Sequence, residues 1–252
     1  MKKYMLMILI LVVLGPGLVF ADLVTFQIGY YIPRAEGGLW DLEFENMTFT
    51  KPDFHNTIFS FSYEYFVSNQ LGLTLTVDAY NKQEVGSYIR YVGYQSFSGD
   101  WAYPDTYEGN FIPSHALSVS NTPIQASVKF LPFGRSGKFI PYIGGGVGLY
   151  IWSLSIRGDV IDFSDERFDT EEEVSVYPIY QLTSRGSSNF AIGYHGYGGI
   201  MAPVANRISV DAGFRFSVAE ANLSDELYTE FFKVDAFDLS GYIISVGINY
   251  WF

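Results

Sequence analysis

The end of the chain alternates without a break. Tyr242, Ile244, Val246, Ile248, Tyr250 and Phe252 fall on one parity; Gly241, Ile243, Ser245, Gly247, Asn249 and Trp251 fall on the other. Successive side chains of a β-strand point to opposite faces, so the first set is a continuous apolar wall and the second is mostly small or polar. A strand of about 10 residues with one apolar and one polar face is the unit of a membrane-spanning β-barrel, lipid outside and a crowded lumen inside. The alternative is a buried last strand of a soluble sandwich, whose apolar face would pack on a second sheet.

The same pattern recurs upstream. It predicts strands over Leu23 to Ile32, Thr57 to Val67, Leu71 to Asn81, Ser120 to Leu131, Lys138 to Trp152, Phe190 to Ala202 and Ile208 to Val218, with the terminal strand as the eighth. In the second, Phe59, Phe61, Tyr63 and Tyr65 face out and Ser60, Ser62 and Glu64 face in. In the fifth, Ile143, Val147, Leu149 and Ile151 face out, against an inward run of Tyr142, Gly144, Gly146, Gly148 and Tyr150. Glycines weaken a strand, and an inward run of them is explained by curvature and by large neighbours across a narrow lumen. The sixth strand is the least clear, with Ala191, Gly193, His195 and Tyr197 assigned inward.

Two regularities tie these segments together. Connections alternate long and short, so one rim carries all the long loops, as in bacterial barrels with short periplasmic turns and longer extracellular loops. An even strand count then puts both termini at the periplasmic rim. The charged residues well inside the spans are Glu64, Asp78, Lys129, Asp211 and Arg215, and all fall on the inward parity. A charge facing lipid at midplane would cost about 2–4 kcal/mol, whereas three carboxylates and two cations in one lumen nearly neutralise one another. The expected fold is therefore all-β, an eight-stranded antiparallel transmembrane barrel over residues 22–252. Val85 to Phe97 also alternates, which makes ten strands the structural alternative.

The first 21 residues change the picture by adding export. Lys2 and Lys3 precede an apolar stretch from Tyr4 to Leu14, Gly15-Pro16-Gly17 breaks it, and Val19-Phe20-Ala21 suits cleavage. This reads as a signal peptide. The chain has no Cys, so no disulfide framework holds the exported product. Aromatic residues make up 18% of the chain, as interfacial girdles require. A net charge of −12 argues against nucleic acid as a partner.

With a terminal Phe252 after alternating apolar residues, the last strand resembles the assembly signal of bacterial outer-membrane proteins. Phe139-Ile140-Pro141-Tyr142-Ile143-Gly144-Gly145-Gly146-Val147-Gly148 and Asp211-Ala212-Gly213-Phe214-Arg215-Phe216 are similar to the fifth and seventh strands of the small outer-membrane β-barrel superfamily of the OmpW, OmpA-barrel and OmpX types. The resemblance implies contact with outer-membrane lipid and with the barrel assembly machinery, which would read Tyr242, Ile244, Val246, Ile248, Tyr250 and Phe252. The OmpW likeness implies a narrow conduit for a small apolar ligand. The OmpX and OmpA likeness implies a structural or surface-adhesion barrel.

An enzyme of this superfamily would show itself in the histidines. A PagL-type lipid A deacylase places His two residues before Ser. Here His55, His115 and His195 are followed by Thr57, Leu117 and Tyr197, and Ser114 beside His115 is no nucleophile–base signature. No catalytic residue, cofactor site or metal site is expected. Asp159, Asp162, Asp165, Glu166, Asp169, Glu171, Glu172 and Glu173 form an acidic loop run. It is read as solvated, with divalent cations as a further partner. Trp40, Phe44, Phe49, Tyr88, Tyr91, Tyr94, Trp101 and Tyr103 either line a route into the barrel or pack the loops together.

Overall fold

The computed structural model describes residues 22–97, 99–223 and 234–252. The expected leader and the middle of the last long connection lie outside these residues. The strands are β1 (Leu23–Pro33), β2 (Asn56–Phe66), β3 (Leu71–Ser87), β4 (Tyr91–Ser96), β5 (Gly99–Pro104), β6 (Ser114–Phe130), β7 (Ile140–Ile161), β8 (Arg167–Asp169), β9 (Val174–Ala205), β10 (Ile208–Asn222), β11 (Ala236–Asp238) and β12 (Gly241–Trp251). A helix α1 (Gly38–Asn46) and a 3-10 turn (Lys51–Phe54) lie between β1 and β2. Among the described residues no helix is long and apolar enough to cross a membrane.

Eight strands close into a ring. In order they are β1, β2, β3, β6, β7, β9, β10 and β12, each antiparallel to its neighbours, with β12 pairing back to β1. The path from Leu23 through Glu64, Thr74, Ser127, Gly146, His195, Ser217 and Gly241 returns to β1 at Pro33, ten residues along. With strands about 4.8 Å apart and about 3.3 Å of rise per residue, this offset tilts them by roughly 40°. An 11-residue strand such as β1 then spans roughly 27 Å of height, close to the ~25 Å apolar band of an outer-membrane barrel.

The ten-strand alternative is overturned by the pairing. Val85 to Phe97 divides between the end of β3 and the separate strand β4, which pairs with β5; β5 in turn pairs with the upper part of β9, outside the ring. Expected boundaries at the short-turn rim agree within two or three residues with the observed ones. At the other rim β3, β6, β7, β9 and β10 run well past them, β7 to Ile161 and β9 from Val174. These extensions form a turret above the membrane belt.

The interior has three layers. At the short-turn end Leu23, Phe66, Leu131, Ile140, Tyr142 and Met201 form an apolar floor. At the long-loop end α1 and the 3-10 turn plug the mouth, and Leu39, Trp40, Phe49 and Phe54 pack on Tyr31, Tyr80, Trp152 and Phe237. Between floor and plug lies a polar layer. The expected reason for the inward glycines is visible here: a Cβ on Gly144 would run into the Tyr197 ring, and one on Gly199 or Gly213 would meet the Tyr142 hydroxyl.

Candidate functional site

The polar layer gathers the five inward charges of four strands. Glu64 on β2, Asp78 on β3, Lys129 on β6, and Asp211 and Arg215 on β10 are all buried. Strand alternation puts each inside, because its neighbours on the same strand carry the apolar outer face. Lys129 Nζ lies 2.5 Å from Glu64 Oε1 and 4.3 Å from the Tyr142 ring centre. Arg215 pairs with Asp78 and also donates to Gln125 Oε1 at 2.7 Å. Gln125 Nε2 donates to the Tyr150 hydroxyl at 3.0 Å. Asp211 accepts a hydrogen bond from the Gln27 amide.

Such a layer is held by completeness. Removing one member of a buried pair strands the other in low dielectric, at about 3–5 kcal/mol. The hollow among these side chains is about 30 Å³, room for a water molecule or two. Under the plug, Tyr31, Trp40, Tyr80, Asn121 and Phe237 enclose about 10 Å³. Neither space accepts an organic molecule.

One arrangement in this layer has catalytic residue types. Ser127 Oγ and His195 Nε2 are 2.7 Å apart and buried. His195 Nδ1 has no hydrogen-bond partner, so no third group orients the ring as a base would require. The pair is also walled off from any substrate by the floor and plug.

The outer wall is the reverse. Tyr242, Ile244, Val246, Ile248, Tyr250 and Phe252 are all exposed, while Ile243, Ser245 and Asn249 of the same stretch are buried. Val147 (62%), Ile192 (77%) and Phe214 (47%) continue this apolar belt round the ring. Water-exposed apolar area on this scale is not what a soluble monomer presents.

Above the belt the loop aromatics pack rather than line a passage. Trp40 stacks on Phe44 and Phe237, Phe49 meets Phe54 edge-on, and Tyr94 meets Tyr103 on the β4–β5 hairpin. The acidic run is engaged locally. Asp165 forms a two-point bond with Arg167, and Asp162 caps Ser164. Asp169 accepts from the Tyr103 hydroxyl at 2.6 Å. That bond pushes Tyr103 up to about 12 and holds Asp169 below the usual carboxylate range. Among the described residues no group of three or more His, Asp or Glu is placed to hold a metal ion. Elsewhere at this rim, a hydrogen bond from Arg34 to Asp238 at 3.0 Å raises the guanidinium's value further.

No protein-family model matches the chain, and no curated protein sequence does. Solved structures do. The chain is similar to small outer-membrane β-barrels. OprG from Pseudomonas aeruginosa is 11% identical, with a TM-score of 0.49, over 92% of this chain and 96% of that one. Neisserial surface protein A is 12% identical, with a TM-score of 0.44, over 91% and 96%. Outer membrane protein W of E. coli is 14% identical, with a TM-score of 0.42, over 92% and 98%. The ring itself stands on the strand pairings described above.

Sequence reasoning missed one buried pair. Glu43 of α1 and His115 of β6 meet at 2.9 Å under the plug. His115 sits where Leu117 and Val119 alternate inward with it, and that spacing was the available signal. Glu43 lies in α1, a short helix of mixed apolar and acidic residues with no amphipathic stripe to mark it.

Proposed function

We propose that this protein is a closed barrel of a bacterial outer membrane, with both termini at the periplasmic rim and a rigid acidic turret at the cell surface. The observation that carries this reading is the sealed lumen: apolar floor, paired charges and packed plug, with about 30 Å³ left between them. The exposed apolar belt supports contact with lipid hydrocarbon, which removes the cost of leaving it in water. A structural or adhesive role, displaying the turret to other surfaces, fits a barrel whose interior spaces hold no more than a water molecule or two. The narrow OmpW-like conduit for apolar molecules has no cavity to use in this state. Catalysis has no accessible nucleophile in the lumen, and the Ser127–His195 bond is read as structural.

The test is conductance in planar bilayers together with uptake of an apolar fluorescent probe into protein-loaded vesicles. The expected result is no signal above protein-free membranes. Reproducible unitary conductance or faster probe uptake overturns the closed reading. Recognition of the last strand by the assembly machinery is a separate part of the proposal. Deletion of Phe252 is expected to reduce the amount of barrel inserted in cells; undiminished insertion would remove that role.

A further inference from the structure

The plug meets the wall at a buried Glu43–His115 pair. The Glu43 and His115 side chains are 2% and 1% exposed. His115 Nε2 lies 2.9 Å from Glu43 Oε2, and Nδ1 lies 3.3 Å from the Asp159 carbonyl oxygen. Both partners are acceptors. A neutral imidazole has one N–H and cannot donate to both, so with Glu43 ionised the two contacts call for an imidazolium at His115. The second carboxylate oxygen of Glu43 is buried and has no hydrogen-bond partner, and among the described residues His115 is the group that forms an ion pair with it.

The surroundings leave the pair no substitute. Phe49 and Tyr88 meet the His115 ring edge-on at 6.2 and 5.5 Å. The Tyr88 hydroxyl accepts from the Ile161 amide, and the Asp159 carboxylate accepts from the Ser114 amide at 3.2 Å. Gly158, opposite His115, has φ of 126° at a break in register of β7. A Cβ there would strike the His115 backbone, so only glycine lets β7 bring the Asp159 carbonyl to the ring.

From this arrangement we infer that Glu43 and His115 form a proton-dependent latch, which holds α1 in the barrel mouth when His115 is charged and frees it when His115 loses its proton. Loss of the proton leaves one acceptor facing a lone pair and the Glu43 carboxylate buried without a counter-charge. Burial opposes the imidazolium, but the charge and hydrogen bond of Glu43 outweigh it and raise His115 above the ordinary histidine value. A raised folded value means the clamp is fully present below the unfolded value of about 6.5. It is lost as pH rises through the raised one. Release is local. Thr48 N to Ser87 O at 3.0 Å and Ile89 N to Asn46 O at 2.9 Å still anchor the last residue of α1 and the segment after it, whereas the body of α1 is held by Trp40 Nε1 on Asp238 O, at 2.9 Å, and by its apolar packing.

Hydrogen exchange on the full-length protein in lipid vesicles, corrected for intrinsic rates, reads this directly. Between about pH 6 and about pH 10, protection of α1 is expected to fall about tenfold or more, with the β7–β9 belt unchanged. Glu43→Gln and His115→Gln are expected to lower α1 protection at the acid end and flatten its pH profile. Flat wild-type protection, or a pH profile that survives Glu43→Gln, overturns the latch. The ¹⁵N shifts of the His115 ring in wild-type protein give a test that needs no variant. Two protonated nitrogens at neutral pH support the latch, and one protonated nitrogen overturns it. None of these outcomes bears on conductance, so a failed latch leaves the closed-barrel proposal to its own test.

Discussion

The belt and the turret are built from the same strands with opposite polarity. On the outer face of β7, Ile143, Val147, Leu149 and Ile151 give way to Ser153, Ser155 and Arg157. On the inner face, Tyr142, three glycines and Tyr150 give way to Trp152, Leu154 and Ile156. β6 does the same, from Ile124, Ala126 and Val128 outside to Ser118 and Ser120, and from Gln125, Ser127 and Lys129 inside to Leu117 and Val119. The β6–β7 register runs unbroken through the exchange, from Phe130↔Ile143 to His115↔Gly158. The side chains therefore keep their faces, and only the medium outside changes. Where hydrocarbon lies outside, the outer face is apolar and the lumen takes the polar groups; where water lies outside, the apolar groups go in.

This contrast can be broken at chosen positions. The largest effect is expected inside the belt. Lys129→Ala strands the Glu64 carboxylate and should cost about 3–5 kcal/mol of stability in urea unfolding from vesicles. Combining Lys129→Met with Glu64→Gln should recover most of that, since the unpaired charge is gone; no recovery would mean the pair acts otherwise than by charge. Next comes the outer face of β7. Val147→Arg, on the belt, should cost about 2–4 kcal/mol, while Ser155→Arg, two turns of the pleat past the exchange, should stay within about 0.5 kcal/mol. Similar costs at both would erase the distinction between belt and turret. The smallest effect is on the turret surface. Asp169 is held low by Tyr103, so their bond is complete above the ordinary carboxylate value and is lost as pH falls through the lowered one. Tyr103→Phe should remove that acid-dependent loosening of the β8–β9 hairpin in hydrogen exchange and change nothing in the belt.

The exchange of polarity also explains what was legible in the sequence. Within the belt every strand carries one rule, so faces and inward charges could be read from parity; even His195 and Tyr197, on the strand with two similar faces, lie on the inner side. Parity ends the strands early where the rule inverts, because Leu154 and Ile156 occupy the parity that is small or polar within the belt. The mutual partners of the inner charges needed the ring closure. Asp78 meets Arg215 across 137 positions of sequence, and parity places both inside without saying which carboxylate each cation takes. The plug was illegible for a different reason. α1 has no apolar stripe to mark it, and its buried Glu43 is explained only by a histidine from a distant strand.

The central claim is that the outer face of the belt touches hydrocarbon and that of the turret touches water. The chain has no Cys, so single spin labels can be placed along the outer face of β7 from Ile143 to Arg157 in vesicle-reconstituted protein. Collision rates with oxygen, which concentrates in lipid, are predicted to dominate up to Ile151, and those with a water-soluble nickel chelate from Ser153 onward. Chelate access throughout Ile143 to Ile151 would contradict the account.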